Sequence, residues 1–290
     1  MANEGLKSFD WISPRRPAIL APWGRTGATE GKHHTMSFEA QRQQFATEGY
    51  AVFDRALQGP ALDLLRAECQ RFVAREDARL DALGVEVDGI THRGRRYFAG
   101  ECQRERPALR TVLYGSVMAD ICRATLGPDA YFFYDQFVVK GPDNGMAFSW
   151  HQDSGYMAHN GGPPDHLPYL TCWCPLDDAT VENGTVRLLP FSKVPESRDA
   201  ILPHERDPAS RDLVATWNGP DDGVVVEVPA GSVVAFSSRL LHATGGNRTP
   251  KLRRVYLMQY SALPILDPGV GHLRRNAVPL VRDGRQVTLG

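Results

Sequence analysis

The 290-residue chain carries 33 basic and 34 acidic side chains, a formal net charge of −1, and 42% hydrophobic against 23% charged residues. This is the balance of an ordinary globular protein, and it excludes a global field that would recruit nucleic acid or an anionic membrane. No apolar run is long enough to span a bilayer, and five irregularly spaced cysteines argue against a disulfide scaffold and for a reducing compartment, the cytoplasm by default.

Residues 1–35 are rich in Pro, Gly and charge, with no sustained period, and read as an arm that is disordered or lies on the surface. Asp10, Arg15 and Arg16 also rule out a secretory apolar core there. Three helical patterns follow. The first starts near Ser37, places Phe38, Gln41 and Phe45 on one side and stops at Gly49. The second opens with Pro60, spaces Leu62, Leu65, Cys69 and Phe72 helically and ends by Gly84. The third runs from Pro107 through Leu109, Val112, Leu113, Val117 and Ile121 to Gly127-Pro128, with a break expected near Gly115.

Beyond residue 130 the pattern becomes short runs rich in Val, Tyr, Phe and Trp: Ala130–Lys140, Pro168–Leu176, Gly184–Leu189, Val224–Val228, Ser232–Ser237 and Arg254–Tyr260. Turn clusters such as Gly141-Pro142-Asp143-Asn144-Gly145 separate them, which implies a sandwich or barrel. A hairpin is expected around Asp283-Gly284. The chain therefore reads as mainly β with N-terminal helices: an arm (1–35) and a single domain (36–290). That domain comprises a helical layer (36–128), a β core (129–262) and a C-terminal extension (263–290).

The chemistry concentrates in His151-Gln152-Asp153. Residues two apart in an extended segment share a face, so imidazole and carboxylate converge. Two neutral nitrogens and one carboxylate form the facial triad of non-haem Fe(II) oxygenases, and His242 is the candidate third ligand. His-x-Asp alone is common by chance, and a surface histidine beside a solvated aspartate would be the default. Arg253, eleven residues past His242, changes that balance. A dicarboxylate co-substrate that chelates iron needs a fixed cation for its far carboxylate, and Arg supplies a planar fork. Thr244 offers a hydroxyl to the same carboxylate.

Three ordered segments carry a resemblance: Trp150-His151-Gln152-Asp153; Glu182-Asn183-Gly184-Thr185 with Leu188-Leu189-Pro190; and His242-Ala243-Thr244-Gly245-Gly246-Asn247-Arg248-Thr249 ending in Arg253. Together they resemble the phytanoyl-CoA dioxygenase family over residues 37–262. The resemblance implies a double-stranded β-helix (a jelly-roll, cupin-like barrel) buttressed by helices, with Fe(II), 2-oxoglutarate and O₂ consumed and succinate and CO₂ released. By position it makes His151, Asp153 and His242 the metal ligands and Arg253 the 2-oxoglutarate arginine. Thr244, Trp173 and Gln136 match further co-substrate positions. Where the family often follows Leu-Pro with Gly-Ser-His, this chain has Phe191-Ser192-Lys193. Asp153 is retained where halogenating relatives carry Gly or Ala, which favours hydroxylation.

For the substrate pocket the candidates are Tyr156, His166, Trp150, Phe148, Trp217 and Arg96, each weighed against a packing role. Arg93, Arg95 and Arg96 together read equally well as a solvated basic loop. Cys172 and Cys174 read as core thiols rather than metal ligands. The expected partner is a small organic molecule, in keeping with secondary metabolism, and the expected assembly is a homodimer; neither nucleic acid nor membrane is expected. Two other classes compete: a zinc-type hydrolase using the same three ligands, and a non-catalytic jelly-roll binding protein. Arg253 would have no role in the first.

Overall fold

The computed structural model describes residues 38–143, 146–163, 165–208, 210–219, 222–266 and 277–288. The proposed arm (1–35), His33-His34 and the turn at Asn144-Gly145 lie outside them. The described chain opens with α1 (Glu39–Glu48), β1 (Tyr50–Phe53) and the long α2 (Pro60–Leu83). Gly49 (φ +78°) and Gly84 (φ +66°) end the two helices in the left-handed conformation that glycine adopts without a Cβ penalty. Short strands β2 (Val87–Asp88), β3 (Thr91–His92) and β4 (Arg96–Gly100) lead to α3 (Cys102–Glu105), a 3-10 turn (Pro107–Leu109), α4 (Arg110–Leu113) and α5 (Ser116–Thr125). The expected break falls at Gly115, whose extended backbone caps α5.

The β region comprises β5 (Ala130–Lys140), β6 (Phe148–His151), helix α6 (Asp153–His159), β7 (Leu170–Pro175), β8 (Val186–Leu189), β9 (His204–Arg206), β10 (Leu213–Ala215), β11 (Val224–Val225), β12 (Val233–Ser237), β13 (Leu241–Thr244) and β14 (Arg253–Ser261). The expected terminal hairpin is β15 (Val278–Arg282) with β16 (Arg285–Gln286). One sheet has the order β1-β12-β7-β14-β5-β4-β3-β2, with β15 also on β5; a second is β11-β8-β13-β6, and β9 and β10 pair as a separate two-stranded ribbon. All the pairings are antiparallel, so side chains alternate between two faces.

On the outer face of the large sheet, Phe137, Val139, Cys172, Cys174, Val233, Ala235, Tyr256, Met258 and Tyr260 form one core with Leu65, Cys69 and Phe72 of α2 and Met118, Ile121 and Cys122 of α5. The helices are thus a buttress, and Cys172 and Cys174 are buried core thiols whose ionisation burial pushes up. The inner face of the large sheet packs on the small one: Trp173, Val234, Phe236 and Val255 meet Val186 and Leu188. Together the two sheets form the jelly-roll barrel that the family resemblance implied, within the sandwich-or-barrel class of the strand pattern. No helix among the described residues is long and apolar enough to cross a membrane.

Asp135 is an outer-face exception. It is 1% exposed; its Oδ2 accepts the Tyr256 hydroxyl (2.8 Å) and the Gln103 N–H (3.0 Å), while Oδ1 has no partner among the described residues. Burial raises its pKa from 3.8 to about 6. The folded state therefore holds the proton more tightly than the unfolded chain, so stability is full below about pH 4 and is lost as pH rises through about 6. At about 1.4 kcal/mol per pKa unit the loss is roughly 3 kcal/mol. Asp135→Asn keeps an acceptor for both donors without the charge. Denaturant unfolding across pH 4–8 should show the variant at least as stable as wild type at pH 8, with its advantage vanishing toward pH 4. A difference independent of pH would refute this account.

Candidate active site

Strand register decides which residues meet inside the barrel. Lys140 pairs with both Arg253 and Arg96, Gln136 with Leu257, Leu257 with Trp173, and Gln259 with Thr171. One inner face therefore carries Arg96, Gln136, Lys140, Arg253, Trp173, Thr171 and Gln259.

His151 and His242 are direct cross-strand partners on β6 and β13, with ring centroids 4.1 Å apart. A bulge follows, setting Phe148 opposite Thr244, so that Phe148 shares the side of His151. The chain then leaves β6 through the extended Gln152 and enters α6 at Asp153. That extended step turns His151 and Asp153 to one side and buries Gln152 on the other, as the sequence spacing implied. The His151 Nδ1–H points at the Ser149 carbonyl (2.7 Å) and the His242 Nδ1–H at the Leu240 carbonyl (3.1 Å), which leaves both Nε2 lone pairs for the site. Loss of water and the neighbouring His242 hold His151 well below the ordinary imidazole range, the neutral form that ligates metal. Asp153 Oδ1 lies 3.7 Å from His242 Nε2. Its Oδ2 accepts the Thr171 hydroxyl (2.5 Å) and the Gln259 amide (3.4 Å), which themselves bond each other (3.2 Å). One ligand atom from each of the three residues lies within 4.8 Å of the others, so the set could hold a metal ion.

Beside this cluster lie two buried basic side chains, Arg253 and Lys140. Arg253 is 1% exposed, and its Nε and Nη2 have no hydrogen-bond partner among the described residues. Burial lowers its pKa to about 10, so it remains charged at neutral pH. Trp173 lies 5.8 Å from the guanidinium carbon. Lys140, fully buried, donates to the Thr244 hydroxyl (2.6 Å) and the Gly245 carbonyl (2.8 Å) and sits 4.1 Å over the Phe148 ring. Burial, Arg253 and Arg96 all push its ionisation down. The free Arg253 fork, with the buried Lys140 amine beside it, makes a cradle for an anion with a planar carboxylate end.

The remaining candidates divide. Tyr156 comes to the site: its ring stands edge-on to His151 at 5.4 Å and its hydroxyl accepts the Leu213 N–H at 3.1 Å. Phe148 comes too, between Lys140 and Phe98. Gln136 faces the interior with its carbonyl oxygen accepting the Tyr134 hydroxyl (2.8 Å). Arg96 faces the site but its fork is taken, by Asp212 (3.0 Å) and the Ile90 carbonyl (2.9 Å). Arg93 and Arg95 are likewise paired, with Asp81 and Asp143. Trp150 and Trp217 pack instead against Leu189, Val194, Ala215 and Leu241, a satellite apolar cluster. His166 is buried with one ring nitrogen 3.0 Å from the Ser154 hydroxyl and the other 2.7 Å from the Pro163 carbonyl, so it secures the start of α6. Sequence reasoning missed Lys140, Thr171 and Gln259. Period-2 alternation from Gln136 would have put Lys140 on the inner face, but only register reveals what Thr171 and Gln259 oppose.

The sequence model of the phytanoyl-CoA dioxygenase family matches residues 45–255. The chain belongs to this family. It is therefore a dioxygenase, an oxidoreductase whose cofactor is iron and whose co-substrates are 2-oxoglutarate and O₂. The dioxygenase is 24% identical over 241 residues to a probable alpha-ketoglutarate-dependent hypophosphite dioxygenase of Stutzerimonas stutzeri, covering 78% of this chain and 79% of that one. It is 26% identical over 223 residues to an ectoine dioxygenase of Stutzerimonas stutzeri strain A1501, covering 73% and 72%. Among solved structures it is similar to SnoK, a non-haem alpha-ketoglutarate-dependent carbocyclase from nogalamycin biosynthesis. The TM-score is 0.60 at 23% identity, covering 88% and 94% of the two chains.

Thr171→Val keeps the shape of the strand residue and removes the hydroxyl donated to Asp153. Loss of an outer-shell partner typically costs about 10–100-fold in metal affinity. Co(II) titration should show a dissociation constant raised by about tenfold or more, with circular dichroism unchanged. Wild-type affinity in this variant would show that Asp153 needs no such support.

Proposed function

We propose that the dioxygenase binds iron through His151, Asp153 and His242, and 2-oxoglutarate through Arg253, to hydroxylate a C–H bond of a small organic molecule of secondary metabolism. The observation that carries this reading is the buried guanidinium of Arg253, unpaired on Nε and Nη2 and on the same inner face as the triad. Two imidazole nitrogens and one carboxylate suit Fe(II) and leave coordination positions open. A free guanidinium fork suits the far carboxylate of a keto-dicarboxylate. A hydrolytic metal site would leave the open Arg253 fork without a function.

In this reading residues 36–290 act as one catalytic domain. Bound iron, with 2-oxoglutarate and O₂, supplies the oxidising power and releases succinate and CO₂. The chain's residues bind and orient. Arg253 holds the co-substrate's far carboxylate, and Thr244, whose oxygen already accepts from Lys140, turns its own proton toward it. Trp173 and Gln136 flank the same pocket. Tyr156 and Phe148 wall the metal side where a substrate C–H would lie, and the apolar rings exclude water there. The retained Asp153 carboxylate favours hydroxylation. Relatives are named for compounds as unlike as hypophosphite and ectoine, which fits one metal end combined with different substrate walls.

Arg253 and Arg254 give an internal control. Arg254 points to the opposite face, where its Nε and Nη2 bond Asp177 at 2.9 and 2.6 Å. Removing one partner of a buried charge pair costs about 3–5 kcal/mol, which at about 1.4 kcal/mol per decade is roughly two to three and a half decades of affinity. Arg253→Ala should weaken 2-oxoglutarate binding by that amount at unchanged iron content, and Arg253→Lys should restore only part. Arg254→Ala should leave the affinity unaltered. If Arg253→Ala is silent, the co-substrate assignment fails. A product heavier by one oxygen atom, formed with stoichiometric succinate, is the measurement for hydroxylation.

A further inference from the structure

The turn that carries two of the three ligands is held from outside. Gln152, between β6 and α6, has an N–H that belongs to neither the β6–β13 ladder nor the helix; it is donated to His204 Nε2 at 3.0 Å, 52 residues along the chain. Nε2 must therefore be unprotonated, and the His204 Nδ1–H is donated to the Leu202 carbonyl at 2.7 Å, which fixes that tautomer. The Gln152 side chain returns the grip. Its Oε1 accepts the Leu202 N–H (2.7 Å), and its amide donates to the Ala200 carbonyl (3.1 Å) and the Arg239 carbonyl (2.5 Å), just ahead of the strand bearing His242.

A second observation is independent of these bonds. The His204 ring lies directly on Gly155: a Cβ there would fall 2.4–2.6 Å from Cε1, Nε2 and Nδ1. Gly155 sits inside α6 without a positive φ. Its lack of a side chain is therefore explained by the ring's close approach and not by backbone conformation. The strap holding His204 is fastened again at its far end, by the Leu213 N–H on the Tyr156 hydroxyl and by the Asp212–Arg96 pair.

We propose that His204 is a positioning residue for the metal centre: a neutral imidazole, outside the ligand set, that fixes the His151–Asp153 turn by accepting the Gln152 N–H. The inference rests on the assignment of His151, Asp153 and His242 as the iron ligands. Its nitrogen is already engaged, and the one metal-capable cluster among the described residues does not include it.

The test is Co(II) titration of the otherwise metal-free protein, read by visible ligand-field absorption, alongside thermal unfolding of the metal-free form. His204→Ala and His204→Phe, the latter keeping ring volume without an acceptor, should raise the Co(II) dissociation constant about tenfold or more and shift the bands. His204→Gln, which retains an acceptor at the position of Nε2, should restore both. Gly155→Ala should reproduce the defect in the wild-type background and add nothing to His204→Ala, because the clash partner is gone. If the metal-free Tm falls in His204→Ala and His204→Phe while affinity and bands stay those of wild type, His204 only packs and the inference is overturned. Asp153→Ala separates the two levels. Undiminished Co(II) binding there overturns the ligand assignment, whereas loss there with wild-type binding in the His204 variants overturns this inference alone.

Discussion

The antiparallel pairing of β6 with β13 sets His151 directly across from His242, and the site is arranged around that cross-strand pair. The rings are 4.1 Å apart, and burial together with this neighbour holds His151 well below the ordinary imidazole range. The carboxylate comes from the first residue of α6, one extended step beyond the strand. Its outer oxygen is tied to Thr171 and Gln259, which belong to the other sheet. The metal-capable cluster, built on the small sheet and α6, is thus tied to the large sheet through its carboxylate. Packing of Trp173, Val234 and Phe236 on Val186 and Leu188 sets the distance over which it must reach. Close-packed interiors transmit small displacements, so a change in that apolar layer would reach the metal-capable cluster.

The charges follow the same logic at the neighbouring end of the barrel. Arg96, Lys140 and Arg253 lie side by side on β4, β5 and β14, all buried. Basic groups crowded in a low-dielectric interior are unfavourable as cations unless each is compensated, and burial with the two arginines pushes the ionisation of Lys140 down. Arg96 is compensated by Asp212, and Lys140 in part by a hydroxyl, a carbonyl and an aromatic face. Arg253 has a ring beside it and an open fork. This gradient, from a complete ion pair to an uncompensated guanidinium, runs toward the place where a dianionic co-substrate is expected.

Much of this was legible in the sequence because it rests on local chemistry. Pro60, Gly49 and Gly84 bracket helices by backbone rules that need no partner, and Gly115 breaks the third helix where expected. His151 and Asp153 could be read as a converging pair because residues two apart in an extended segment share a face, whereas His242 and Arg253 came with the family resemblance and not from spacing alone. What failed depended on neighbours. Helix α6 was hidden because Ser154-Gly155 reads as loop; only the His204 ring, far along the chain, explains the glycine. His166 looked like a pocket residue for the same reason, whereas its ring nitrogens serve Ser154 and Pro163. Trp150 stands next to a ligand in sequence, yet it packs with Trp217 in a separate cluster. Lys140 was missed because a strand's own sequence does not say what the next strand sets opposite it.

Arg253 and Arg254 show how the fold enforces this division. They are identical side chains on consecutive residues, and a single nearby carboxylate, Asp177, acts on the charge of both. Alternation sends Arg254 to the outer side, where Asp177 meets its fork with two bonds in a half-buried pair. Such a bidentate pair occupies both carboxylate oxygens. Asp177 therefore cannot also turn inward to neutralise Arg253, and the inner guanidinium is left for a ligand. A slip of one residue in β14 would reverse the faces, placing the compensated arginine inside and the open one outside. The nine-residue register of β14 against β5, with its own bulge at Gln259/Tyr260, prevents that slip. The open fork is thus as much a property of the sheet as of the arginine.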